Sequence, residues 1–247
     1  MGVDDIILVD HDLLDTESNI RRVIGSTVAD LSIRPYPPKV KAISNHLQRI
    51  GLGTRIRQVV GDVRLECVFR HLLDADVVLN ATDTHGSRAV INELPSKYLL
   101  PVIDVGVRVG SKSDNKISGL LAEVRILTHV TPCLWCRKTI SGDIIREENL
   151  PEQERKKLGE DGYLVGNVGE PAPSVIALTT LSSGLCTCAL IALLSEEGEV
   201  GPSGYWVDGF FGDSQETKPK EPVAGCCCRK NIAIGDLAAP SFRVDDA

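Results

Sequence analysis

Residues Ile6-Ile-Leu-Val9 run directly into Asp10-His-Asp-Leu-Leu-Asp-Thr-Glu-Ser-Asn-Ile-Arg-Arg22. An unbroken apolar run that ends in an acid predicts a buried parallel strand with a carboxylate at its C-terminal tip, where open α/β sheets bind ligands. Asp10 is therefore a candidate ligand of a nucleotide ribose. Nine residues on come Asn19 and the pair Arg21-Arg22, an amide and guanidinium groups suited to the phosphates of the same nucleotide. Both features also have plainer uses, since acid-tipped strands are common and an arginine pair can be a solvated face.

A chain of 247 residues suits one large α/β domain or two small ones and can bury a sizeable core. A net charge of −7 with no basic patch argues against a nucleic-acid partner. Met1-Gly-Val-Asp-Asp5 has no basic region and precedes only a four-residue apolar run, so it does not read as a signal peptide. The expected compartment is the cytoplasm. Pro171 to Ser195 carries no charge, yet its Ser, Thr, Gly and Cys content and its Pro-Ala-Pro opening favour a buried core helix over a membrane span. The eight cysteines cluster as Cys133-x-x-Cys136, Cys186 with Cys188, and Cys226-Cys-Cys228, with Cys67 alone. In a cytosolic chain that spacing suggests a metal site before disulfides.

A nucleotide-binding α/β domain normally opens with a strand, a glycine-rich phosphate loop and a helix before the strand that carries the ribose acid. Here no G-x-G-x-x-G precedes Asp10. The sequence thus reads as a fold that starts at its second strand, which predicts unpaired backbone on both neighbours of the missing one. Either the sequence is a fragment or another chain supplies the piece.

Farther along, Lys39 opens a helix to Ile50, with Val40, Ile43, Leu47 and Ile50 as its apolar stripe. Arg55 to Val60 predicts a strand, Val63 to Leu73 a helix, and Ala75 to Asn80 a buried strand that ends in Ala81-Thr-Asp-Thr84 before a helix over Gly86 to Leu94. In a parallel sheet Asp83 would share the C-terminal rim with Asp10, giving the second acid that a magnesium-nucleotide site needs; its plainer use is as the cap of the next helix. Pro101 to Gly106 is a further strand, and from Val107 alternation suggests antiparallel pairing. Gly142 to Gly169 reads as a mobile crossover with a short helix at Pro151 to Leu158, followed by a long helix from about Ser174 to Leu194 and a strand over Gly204 to Asp208.

Taken together, these pieces resemble the ThiF/MoeB/HesA group, prokaryotic relatives of ubiquitin-activating enzymes. The resemblance rests on the acid-tipped strand with Ser18-Asn19-Ile-Arg-Arg22, Lys39 after a proline pair, and Ala81-Thr-Asp83 with Arg88. It also takes in Pro101-Val-Ile-Asp-Val-Gly106, the C-x-x-C, Pro173-Ser-Val and the late cysteines. It implies one Rossmann-like domain over 1–247, mainly parallel with an antiparallel C-terminal extension and lacking its first strand and glycine loop. Residues 1–130 would form the nucleotide-binding core, and 131–247 the cysteine turn, crossover, long helix and last strands.

The activity implied is ATP-dependent adenylation of the C-terminal glycine of a ubiquitin-like or sulfur-carrier protein, by a homodimer or heterodimer. Asp10 would hold the ribose, Asn19 and Arg22 the phosphates beside Ser18, and Lys39 the α-phosphate; Asp83, next to Thr84, would hold Mg2+. Arg88 would support the site. Cys133 and Cys136 resemble half of a structural Zn2+ site. The other half departs from the pattern, and Cys226 with Cys228 is the expected pair because alternate side chains share a face in extended chain. Residues 137 to 185 contain no cysteine, so adenylation without thioester transfer from the crossover is expected, with Cys186 and Cys188 in the core. The alternatives are a partner subunit inactive by itself and, more distantly, an NAD- or FAD-dependent oxidoreductase.

Overall fold

The computed structural model describes residues 3–111, 117–164, 176–195, 204–208, 214–216 and 221–237. The chain divides into two compact units, one ending at Ala75 and the next beginning at Asp76.

In the first unit, β1 (Asp5–Asp10) pairs in parallel with β2 (Arg55–Val60). Between them lie the single turn α1 (Glu17–Ile20), a 3-10 segment over Val28–Ser32 and α2 (Lys39–Ile50). Pro38 caps α2 rather than occupying its first turn, and Gly51 ends it in the left-handed region at φ 78°. Val40, Ala42 and Ser44 are its buried residues, and Ser44 accepts a hydrogen bond from Gln58 of β2 at 2.9 Å. Ile50, expected on the apolar stripe, is exposed. After β2 comes α3 (Glu66–Phe69) with a 3-10 turn to Asp74, where a single helix was expected.

The second unit is built on a five-stranded sheet, β3 (Val78–Asn80), β4 (Val102–Ser111), β5 (Ile117–Leu127), β6 (Gly204–Asp208) and β7 (Ser214–Glu216), in that order. β3 and β4 are parallel, and every later pair is antiparallel. Among the described residues β1 has β2 as its one sheet neighbour and β3 has β4. Between β3 and β4 stand α4 (His85–Ile91) and α5 (Leu94–Lys97), where one helix was expected. After β5 come α6 (Gly142–Glu148), which the sequence did not suggest, and α7 (Glu152–Glu160), with α9 (Cys227–Lys230) near the end. The Pro173-Ser-Val element and the crossover from 165 to 169 lie outside the described residues.

The long α8 (Ile176–Leu194) packs on β4 and β5, with Ile103, Val124, Ile126, Cys186 and Ala189 as the core. Leu178, Ser182, Cys186 and Ala189 recur at three- and four-residue spacing and give the helix one buried side. The helix thus contributes to the core by one side only, with Ile191 and Leu194 exposed, and the expectation of both cysteines in the core is corrected: Cys186 is buried while Cys188 is exposed. By length and composition alone α8 could also cross a membrane, and it is the one described helix that meets that test.

Truncating Ile103, which has no exposed surface, should cost about 2–5 kcal/mol as Ile103→Ala. Ile191→Ala, on the open side of α8, should cost clearly less in the same urea titration; equal losses would mean that α8 is placed the wrong way round.

Candidate functional site

In the first unit the loop after β1 is stitched to the start of α2. Leu13 and Pro38 form an isolated bridge, and Leu14 N–H donates to Pro37 O at 2.8 Å. The first N–H groups of a helix have no partner inside it. That of Lys39 finds Asp12 O at 3.0 Å, and its ammonium pairs with the Asp12 carboxylate. Asp12 N–H donates to Asp10 Oδ1 at 2.9 Å, so Asp10, Asp12 and Lys39 form one linked group. Burial raises the pKa of Asp10 above the ordinary value, while the Asp12 amide and the Lys39 charge act against that rise. The sequence reading passed over Asp12, although the Asp-x-Asp doublet was visible. Asp10, His11 and Asp12 also bring potential metal-ligand atoms within 4.8 Å of one another.

Ser18 and Asn19 of α1 form a separate cluster with Arg22, two residues beyond the end of that helix. Asn19 Nδ2 donates to Leu13 O and to Asp15 Oδ1, each at 3.0 Å, which ties α1 back to the loop. Arg22 donates from Nε to Ser18 O at 3.1 Å and from Nη2 to Asn19 Oδ1 at 3.4 Å. The Ser18 hydroxyl bonds that of Thr16, the α1 cap, at 3.1 Å. Arg22 is exposed, and these two hydrogen bonds tie it to the preceding turn of chain.

In the second unit, Asp83 lies at the turn between β3 and α4. Its other expected use, capping α4, is not the one observed: Thr84 is the cap and accepts Ser87 N–H at 3.3 Å. The Thr84 hydroxyl also donates to Ser87 Oγ at 2.8 Å. Asp83 is left as an exposed carboxylate with no hydrogen bond or ion pair among the described residues, a ligand oxygen available to a cation. Beneath it Arg88 donates from Nε to Thr82 O at 2.9 Å and from Nη2 to Val105 O at 3.2 Å. A Cβ at Gly106 would sit 3.2 Å from Arg88 Nη2, so the glycine leaves room for that guanidinium.

Two groups on this side were missed because their partners are distant in sequence. Glu148 of α6 accepts the N–H groups of His85 and Gly86, each at 2.8 Å. His85 Nδ1 accepts from Ser141 N–H at 3.0 Å. Burial lowers the His85 pKa, with Glu148 opposing that shift and Arg88 adding to it.

Cys133, Cys136, Cys226 and Cys228 bring their Sγ atoms within 4.8 Å of one another. Cys133 to Cys136, Cys133 to Cys226 and Cys136 to Cys228 measure 3.7, 3.6 and 3.7 Å. Tetrahedral Zn–S bonds of about 2.3 Å require S–S edges of about 3.8 Å, so the four thiols fit a thiophilic ion. The expected pairing of Cys226 with Cys228 is observed, but for another reason: Cys226 caps α9 and Cys228 lies in its first turn, not in extended chain. A Cys227 hydrogen bond, with burial added, pushes the Cys133 thiol up to about 12.

Residues 1–227 match the model of the ThiF family. The chain belongs to that family. Over 135 residues it is 29% identical to the Sulfur carrier protein ThiS adenylyltransferase of Bacillus subtilis (strain 168), covering 55% of this chain and 37% of that protein. The crystal structure of E. coli MccB with ATP superposes at a TM-score of 0.63 with 13% identity, over 91% of this chain and 58% of that one. Microcin C7 biosynthetic enzyme MccB in complex with N-formylated MccA gives 0.65 with 14% identity, over 91% and 60%. The chain therefore spans less than two thirds of each of these relatives. The likeness to MccB fixes the fold as Rossmann-like α/β, with parallel strands and an antiparallel extension.

Because burial lowers the His85 pKa in the folded chain, the unfolded chain binds more protons at and just below its ordinary pKa of 6.5. Stability contributed there is complete above that value and is lost as pH falls through it. His85→Asn, which retains an acceptor for Ser141, should lose less melting temperature than wild type between pH 7.5 and pH 5.5; an equal loss would remove His85 from the account.

Proposed function

We propose that the chain carries the ATP-dependent adenylation chemistry of its family, joining AMP to the C-terminal glycine carboxylate of a ubiquitin-like or sulfur-carrier protein. Membership of the ThiF family over residues 1–227, with Asp10, Lys39 and Asp83 in their expected order, is the observation that carries this reading. A carboxylate oxygen attacks the α-phosphorus, a new O–P bond forms, and the bond to the β-phosphate oxygen breaks to release pyrophosphate. The nucleophile is already ionised at neutral pH, so no general base is required.

What the protein must supply is cationic charge where two anions meet. Lys39, held against Asp12 until a phosphate arrives, serves the α-phosphate. Asn19 of α1 and Arg22 just beyond it, with Ser18 beside them, serve the outer phosphates, and Asp10 takes the ribose hydroxyls. Asp83, with Thr84 next to it, holds Mg2+, which when bound to the phosphates neutralises developing charge. The four cysteines hold Zn2+ as a structural ion that fastens the Pro132 turn to α9. The partner is the extended C-terminal tail of the carrier, presented to a homodimer or heterodimer.

A second reading, a subunit that completes a heteromeric activating enzyme without turning over by itself, is favoured by the single sheet neighbours of β1 and β3 among the described residues. In ATP–pyrophosphate exchange driven by a Gly-Gly-ended carrier, Lys39→Ala and Asp83→Ala should each lower the rate about 100-fold or more. Exchange unchanged in both variants would discard the assignment of Lys39 and Asp83 to the site, absence of exchange in wild type with and without a second ThiF protein would contradict the adenylation reading, and exchange that appears only when that second protein is added would support the subunit reading. For the metal, wild type and Cys227→Ser should each hold one zinc per chain by atomic absorption, whereas Cys228→Ser should lose it and melt at lower temperature. Retention in Cys228→Ser would exclude that ligand.

A further inference from the structure

Thr82, the residue before Asp83, commits its polar groups to one network. Its N–H and hydroxyl donate to Asn80 Oδ1 at 3.2 and 2.9 Å, and its carbonyl accepts from Arg88 Nε at 2.9 Å. Asn80 Nδ2 donates in turn to Asp104 Oδ1 at 2.8 Å, and Asp104 Oδ2 accepts from Arg125 Nη1 at 2.9 Å. Arg88 Nε is also 3.9 Å from Asp104 Oδ1. The sheet register makes this possible, because Asn80, Asp104 and Arg125 stand opposite one another on β3, β4 and β5.

Asp104 has no exposed surface, and a buried charge of this kind is poorly explained by stability. Well-packed apolar replacements of buried ion pairs are often neutral or stabilising. Its two neighbours on the same face of the strand pairing, Val102 and Leu127, are apolar and fully packed. Around metal sites, by contrast, groups beyond the direct ligands orient those ligands and set their affinity.

We propose that Asp104 is a positioning residue for the metal corner: through Asn80 and Arg88 it fixes the backbone of Thr82 and so aims the Asp83 carboxylate at the divalent cation of the bound nucleotide. This rests on the reading of Asp83 as a cation ligand. Asp104 touches neither nucleotide nor carrier. Its substitution therefore acts on cation affinity more than on nucleotide affinity.

The test uses the full chain with α,β-methylene ATP and Mn2+, reading bound Mn2+ by electron paramagnetic resonance and nucleotide affinity by calorimetry, with a thermal melt of each variant. Asp104→Asn, which keeps shape and removes charge, should weaken Mn2+ binding about 10-fold or more with little change in nucleotide affinity without metal. Thr82→Val, which cuts only the hydroxyl link, should shift Mn2+ affinity in the same direction by less, and it decides the question if Asp104→Asn does not fold. Mn2+ affinity within about twofold of wild type in both variants, while Asp83→Ala loses it, overturns the positioning role whatever happens to the melting temperature. If Asp83→Ala binds Mn2+ as wild type does, the assignment of Asp83 itself fails, and that of Asp104 with it.

Discussion

Asp104 of β4 is a carboxylate sealed from water, and two strands and a helix supply its partners: Asn80 of β3, Arg125 of β5 and, at longer range, Arg88 of α4. The row adds little net stability, yet removing one partner would strand a buried charge at a cost of about 3–5 kcal/mol, which favours the one register that keeps Asn80, Asp104 and Arg125 opposite one another. The alternation of strands does the rest. Ile103, Val124 and Ile126 face α8, while residues one step along carry Asn80, Asp104 and Arg125 to the other side of the same sheet. One side of β4 therefore builds the core and the other braces the turn that ends in Asp83.

The first unit solves a similar problem with a helix end. The orphan N–H of Lys39 and its ammonium both go to Asp12, whose own N–H holds Asp10. A strand tip and a helix start are thereby locked together, and two acids are kept beside one cation near the positive end of α2. In the proposed function an incoming phosphate would compete with Asp12 for Lys39. In the proposed reaction this exchange places the charge where the α-phosphorus needs it.

Local signals in the sequence carried the elements that depend on local physics. Although the strand before Asp10, expected to be buried, is only half-buried, the helix opening at Lys39 and the strands Asp5–Asp10 and Arg55–Val60 were legible from local pattern. So was the cysteine set, because thiols at short spacing have few other uses. What sequence could not give was pairing across distance: Asp12 with Lys39, Glu148 with the start of α4, Asp104 with Arg125. Each joins residues more than twenty apart through tertiary structure. The cap of α4 was misplaced by one residue because Asp and Thr both serve that position, and only the backbone geometry selects Thr84. In α8 composition misplaced Cys188, since a chargeless helix does not reveal which side meets the sheet, and only Cys186 of the two cysteines is buried.

The central claim is that this chain activates a carboxylate with ATP. The most direct measurement is mass spectrometry of a Gly-Gly-ended carrier protein incubated with the full chain, ATP and Mg2+. The account predicts a carrier heavier by one AMP, lost when the terminal glycine is removed. A carrier of unchanged mass, under conditions where an authentic ThiS adenylyltransferase modifies it and with a second ThiF protein also supplied, would contradict the account.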